Sequence, residues 1–160
     1  MKRVAIVLGV ALALSVAGAH AQTRPNFSGE WQLNAAKSNP TVTGNSPNIP
    51  FPSQLVIKQT TDELHLESTS VRQAPFSAIF KLDGSKVTLK APSGITESGE
   101  ATMDGANLVI TTRRSFTSPL GETVVDFKEV WTLSGSDLTI VKTRVESGES
   151  TTEKAVFTKM

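Results

Sequence analysis

The chain has no cysteine in its 160 residues, and only two histidines and two tryptophans. Without thiols there is no disulfide, no thiol nucleophile and no cysteine-ligated zinc or iron–sulfur centre. A fold without staples has to be held by burial, which a chain of this length can supply. Long helical patterns are missing as well. No stretch of 10–15 residues keeps a 3.6-residue apolar period, which excludes crossover helices and the parallel sheet they would serve. The longest apolar run, Val4 to Val16, is shorter than the roughly 20 residues that span a bilayer, so no integral membrane segment is expected. A glycine-rich phosphate loop, a nucleophile elbow and paired metal-ligand motifs are also lacking. Nothing in the sequence therefore asks for a metal or a cofactor.

What is present begins with a leader. Met1-Lys2-Arg3 is basic, Val4 to Val16 is apolar, and Ala19-His20-Ala21 places small residues around a cleavage bond. This is the layout of a secretory signal peptide, expected to span residues 1–21 and to leave a domain over 22–160. The expected product is exported, periplasmic or secreted, in a bacterium. With Lys2 and Arg3 removed, the basic count falls from 16 to 14 against 15 acids, a formal charge of −1. A near-neutral chain without a basic run gives no electrostatic reason to expect nucleic acid or an anionic membrane as partner. Oligomeric state is left open by these counts.

From Phe27 onward the chain reads as a train of short strands. Phe27 to Leu33 is the first, followed by a short helical turn over Asn34 to Lys37. A Pro/Gly-rich loop from Thr41 to Pro52 then crosses the surface, long enough to serve as a lid or flap. Gln54 to Thr60 and Asp62 to Thr69 form a hairpin pair. Phe76 to Leu82 and Ser85 to Lys90 flank Asp83-Gly84, the strongest short hairpin signal in the chain. Thr96 to Met103 and Asn107 to Arg114 flank Asp104-Gly105. Glu122 to Leu133 turns at Ser134-Gly135-Ser136 into Asp137 to Val145, and Ser147-Gly148-Glu149 leads into Ser150 to Lys159. About ten strands joined in succession make an antiparallel meander. Closing it into an up-and-down β-barrel of 8–10 strands removes the exposed edges. A β-sandwich is the competing all-β arrangement, disfavoured by the neighbour-to-neighbour turns.

The opening Phe27-Ser28-Gly29-Glu30-Trp31-Gln32-Leu33 with Lys37-Ser38, the Leu82-Asp83-Gly84 turn, and Trp131-Thr132-Leu133-Ser134-Gly135 leading into Leu138-Thr139-Ile140 resemble a group of exported bacterial lipocalin-like, calycin-type proteins. The resemblance covers nearly all of residues 22–160. It implies a barrel in which Gly29 and Trp31 plug the closed end. It also implies a basic side chain from a late strand lying over the indole. Arg144 is the position assigned to that role, with Lys142 and Lys154 competing for it. No reaction comes with the group.

Strand parity then sorts the side chains, because alternate residues face opposite sides. Thr123, Val125, Phe127, Trp131 and Leu133 share an inward parity, and Glu129 shares it too. Lys142 and Arg144 share parity with Leu138 and Ile140, as Arg114 does with Leu108 and Ile110. Glu129, Arg114 and Arg144 are therefore the candidate ligand-binding residues, forming one interior polar cluster. The other reading is a parity shift at a bulge, or a rim position in water. His65 faces outward beside Glu63 and Glu67, which makes it a surface residue rather than a ligand. Asp83, Asp104 and Asp137 are turn residues too scattered for a calcium site. Phe51, Phe76, Phe80, Phe116 and Phe127 read as core or rim packing, not as a ligand cage.

Two functional readings follow. One is an exported binding module whose barrel admits a small apolar or amphipathic molecule. The other is a structural or interaction protein of the cell envelope with a filled barrel and no ligand. An enzyme lacks any nameable acid–base or nucleophile constellation, so no catalytic residue is assigned.

Overall fold

The computed structural model describes residues 24–39, 51–70, 74–119 and 121–160. The expected leader and the Thr41–Pro52 loop as far as residue 50 lie outside them. The strands are β1 (Gly29–Leu33), β2 (Gln54–Gln59), β3 (Glu63–Thr69), β4 (Phe76–Lys81), β5 (Val87–Thr88), β6 (Ile95–Asp104), β7 (Asn107–Ser118), β8 (Gly121–Ser134), β9 (Asp137–Glu146) and β10 (Glu149–Lys159). A 3-10 turn over Ala35–Lys37 follows β1.

All strands belong to one sheet in the order β4-β3-β2-β1-β10-β9-β8-β7-β6-β5, and every pairing is antiparallel. The chain is thus an up-and-down barrel of ten strands, nearly closed. The first and last strands meet, since Trp31 lies opposite Lys159 and Leu33 opposite Phe157. The remaining seam lies between β4 and β6.

That seam corrects one expectation. Asp83-Gly84 does not make a hairpin between β4 and β5, which stand at opposite ends of the strand order. Instead Asp83 bridges to Thr102, and the Gly84 N–H donates to the Ala101 carbonyl at 3.0 Å. Gly84 has φ +82°, the left-handed conformation that glycine tolerates best. The strand that Asp83 meets is therefore β6, one place beyond the expected partner β5. Beyond this bridge the seam is closed by side chains. A Cβ built on Gly99 of β6 would come 2.7 Å from the Phe80 ring of β4. The missing side chain lets the Phe80 ring approach the far strand closely.

The interior follows the alternation of the strands. Leu55, Ile57, Leu64, Leu66, Ala78 and Phe80 point inward from β2, β3 and β4, while Lys58, Glu67 and Lys81 point to solvent. Leu108, Trp131, Leu138 and Phe157 fill the opposite wall, none more than 1% exposed. Phe27 and Trp31 complete one end. Phe27 meets Trp131 edge-on, with ring centroids 6.4 Å apart and planes at 71°, and the Trp31 indole N–H donates to the Phe27 carbonyl at 3.0 Å. A buried indole needs such a partner, because an unsatisfied N–H costs about 1–3 kcal/mol.

The group over this indole is Lys159, not Arg144, Lys142 or Lys154. Its ammonium lies 5.5 Å from the Trp31 ring centroid. Gly29 makes room for it. Its φ is +146°, and a Cβ there would sit 2.7 Å from Lys159 Cε. Gly-x-Trp therefore has a mechanical reason, since the glycine is the gap through which the lysine stem reaches the indole. Outside the barrel, Asn34, Lys37 and Ser38 tie the 3-10 turn onto β9 and β10. Lys37 Nζ reaches Asp137 at 2.7 Å, and the Val156 N–H donates to Ser38 Oγ at 2.9 Å. The turn thereby accounts for the burial of the outward-parity Val156.

Candidate functional site

Four neighbouring strands change character partway along, one inward step later on β6 and β7 than on β8 and β9. Along the inward rows, β6 passes from Met103 and Ala101 to Gly99 and Glu97, and β7 from Leu108 and Ile110 to Thr112 and Arg114. In the same way β8 passes from Leu133 and Trp131 to Glu129 and Phe127, and β9 from Leu138 and Ile140 to Lys142 and Arg144. These rows are in register, with Glu97 opposite Arg114, Ile110 opposite Glu129, and Glu129 opposite Lys142. On one side of this change the barrel is packed solid. On the other it holds a cavity of about 450 Å³.

The cavity floor is Trp131, resting on Phe27. Its walls are mainly apolar: Leu55, Leu66, Phe76 and Phe80 on one side, Ile110, Phe127 and Ile140 on the other, with Phe51 and Pro52 closing over from the loop before β2. Phe51, Phe76, Phe80 and Phe127 therefore line the cavity as well as pack. Phe116 does not; it stands 36% exposed toward the end of β7.

Among these walls sit two ion pairs. Glu129 accepts the Trp131 indole N–H at 2.8 Å and lies 2.9 Å from Lys142 Nζ. The Lys142 ammonium is in turn 5.1 Å from the Phe127 ring centroid and 5.7 Å from that of Phe51. Indole, carboxylate, ammonium and two rings thus make one chain of contacts across the cavity wall. The side chains of Lys142 and Glu129 are 17% and 19% exposed, so they are partly desolvated and each depends on the other. Nearer the opening, Arg114 grips Glu97 by donating from Nε to Oε2 at 3.2 Å and from Nη2 to Oε1 at 3.2 Å. Glu97 is the one buried charged residue among those described, 7% exposed, and the forked guanidinium suits it because two parallel N–H groups satisfy both oxygens.

The three residues expected to form one cluster are thus separated. Glu129 and Arg114 both line the cavity, but each takes its own partner, Lys142 and Glu97. Arg144 does not line it; its guanidinium pairs with Glu146 on the same strand. Glu97 is not among the expected site residues, although the Asp104-Gly105 turn puts it and Arg114 at equal distances along the two arms of a hairpin. The turn at Gly135-Ser136 does the same for Glu129 and Lys142. His65 lies outside as expected, 3.2 Å from Glu63. Asp83 and Asp137 serve turns, and both carboxyls are held below the ordinary carboxylate range, by hydrogen bonds from Ser85 and from Lys37 respectively.

A second recess, about 400 Å³, is lined by Arg24, Asp62, Glu63, Lys81 and Asp83 near the β2–β3 turn. Its charged walls give an apolar molecule little to bury against.

No family model and no curated protein sequence matches the chain. Among solved structures it is similar to zebrafish ileal bile acid-binding protein in complex with cholic acid, with a TM-score of 0.57 and 14% sequence identity over 84% of this chain and 98% of that one. At that identity the likeness is one of architecture, and it agrees with the up-and-down β-barrel described above.

Proposed function

We propose that this protein is an exported small-ligand carrier that holds an apolar or amphipathic molecule inside its barrel. The observation that carries the reading is the cavity itself: about 450 Å³, floored by Trp131 and walled by aliphatic and phenylalanine side chains with two placed ion pairs. Ligand sites of this kind are mostly apolar with a few polar groups that fix orientation. The alternative of a filled barrel acting only through its outside leaves the open end unexplained. Support of a different kind comes from the similar zebrafish protein, whose barrel was solved with an amphipathic bile acid. Export rests on the leader over residues 1–21.

The test is a titration of purified protein with an anilinonaphthalene sulfonate, a dye that brightens in apolar surroundings, followed by displacement with dodecanoate or cholate. Saturable binding and displacement are expected. Thr112 faces the cavity opposite Phe127, so Thr112→Trp should fill it and abolish dye binding while leaving the far-ultraviolet circular dichroism unchanged. A folded wild-type protein that takes up no dye would overturn the reading.

A further inference from the structure

Five charged side chains line the cavity: Lys90, Glu97, Arg114, Glu129 and Lys142. Their distribution with depth is uneven. At the level of the Trp131 floor, Glu129 and Lys142 are closed on each other, with the indole N–H and two phenylalanine rings taking up their remaining contacts. At the opening the balance is positive. Arg114 spends Nε and Nη2 on Glu97, leaving the Nη1 donors of a guanidinium that is 42% exposed. Lys90, exposed in the segment after β5, has no ion-pair partner among the described residues.

We propose that the ligand is an amphipathic anion bound tail-first, with its acid group at the mouth between Lys90 and Arg114 and its apolar end on Trp131. The inference deepens the small-ligand reading and rests on it. A charge carried to the floor would have to break the Glu129–Lys142 pair or lie unpaired against Leu55, Leu66, Ile110 and Ile140, and both are costly. An acid at the mouth keeps part of its water and gains donors from two cations. The forked guanidinium that Glu97 holds in place is one of them. Glu97 holds Arg114 in place from within the same wall. A cationic amphipath meets the same surplus of positive charge at the opening and is disfavoured.

Orientation can be read from tryptophan emission, because bromine quenches an indole it touches. Two bromododecanoates are compared, one brominated at the terminal carbon and one at the carbon beside the carboxylate, with dye displacement confirming that each binds. A Trp131→Phe variant identifies that residue's share of the emission. The terminally brominated acid should quench most of the Trp131 share at saturation, and the other acid almost none. The reverse pattern, or equal quenching, overturns the tail-first arrangement while leaving ligand binding intact. If dodecanol displaces the dye although neither acid does, the anionic ligand class is wrong. If the dye itself does not bind, the small-ligand reading falls as well. Lys90→Glu checks the mouth separately. It should weaken dodecanoate about fivefold, as reversal of a rim charge does, and leave dodecanol unchanged. Equal effects on the two, or none on the acid, would remove Lys90 from the site.

Discussion

The two ends of this barrel are built from the same strands and solve opposite problems. At the closed end Phe27, Trp31, Leu108, Leu138 and Phe157 are almost wholly out of water, and the Trp31 N–H is satisfied by a backbone carbonyl. At the open end the same inward rows carry Glu97, Arg114, Glu129 and Lys142 around a cavity, and every carboxylate is matched by a cation. The changeover takes one inward step on each strand: Ile110 to Thr112, Trp131 to Glu129, Ile140 to Lys142. Trp131 belongs to both halves, since it packs on Phe27 below and hydrogen-bonds Glu129 above. The contrast teaches that the solid core and the cavity occupy separate levels, so substitutions should sort by level rather than by strand.

The strongest break of that contrast is Trp31→Ala, expected to destabilise by about 3–5 kcal/mol in urea unfolding because it empties the solid end. A variant of near-wild-type stability would mean that the indole is not structural. Gly29→Ala comes next. Its backbone is unfavourable for a side chain, and the new Cβ would push Lys159 off Trp31, for a loss of roughly 1–2 kcal/mol with dye binding retained. At the open level, Glu129→Leu strands the Lys142 ammonium and should cost about 1–2 kcal/mol. The double variant Glu129→Leu/Lys142→Leu should recover only the part due to the stranded ammonium, since the Trp131 N–H still lacks its acceptor, and a double variant no more stable than the single one would show that the two do not act as a pair.

The smallest effect lies outside the barrel. The Asp137 carboxyl is held below its ordinary pKa by the Lys37 hydrogen bond. A lowered folded-state value adds stability that is fully present above the unfolded-state pKa, near 3.9, and is lost as the pH falls through the folded one. Lys37→Ala should therefore flatten the dependence of Tm on pH below about 4, while leaving dye binding at neutral pH unchanged.

Much of this was legible in the sequence because hairpins with two-residue turns carry their own register. Once Asp104-Gly105 and Gly135-Ser136 are recognised as turns, parity places Glu129 and Arg114 inside, and equal counts along the arms pair them with Lys142 and Glu97. What was not legible depends on contacts between strands distant in sequence. Asp83-Gly84 has the residues of a hairpin turn, yet which strand it meets is decided by Phe80 lying on Gly99 across the seam. The basic group over Trp31 is likewise chosen by the β1–β10 pairing, which brings together the two ends of the domain. Arg144 shares the parity of Lys142 but lies one inward step further from the floor, where Glu146 is available. Parity fixes the face, not the depth.

Because the chain has only two tryptophans, the central claim reduces to two indole N–H signals in a nitrogen-15 correlation spectrum. During a titration with dodecanoate, the Trp131 indole signal should shift saturably, since that ring floors the cavity and bonds Glu129, while the Trp31 signal should stay fixed. Movement of neither signal, or movement of Trp31 alone, would contradict a barrel that is solid at one end and open to a ligand at the other.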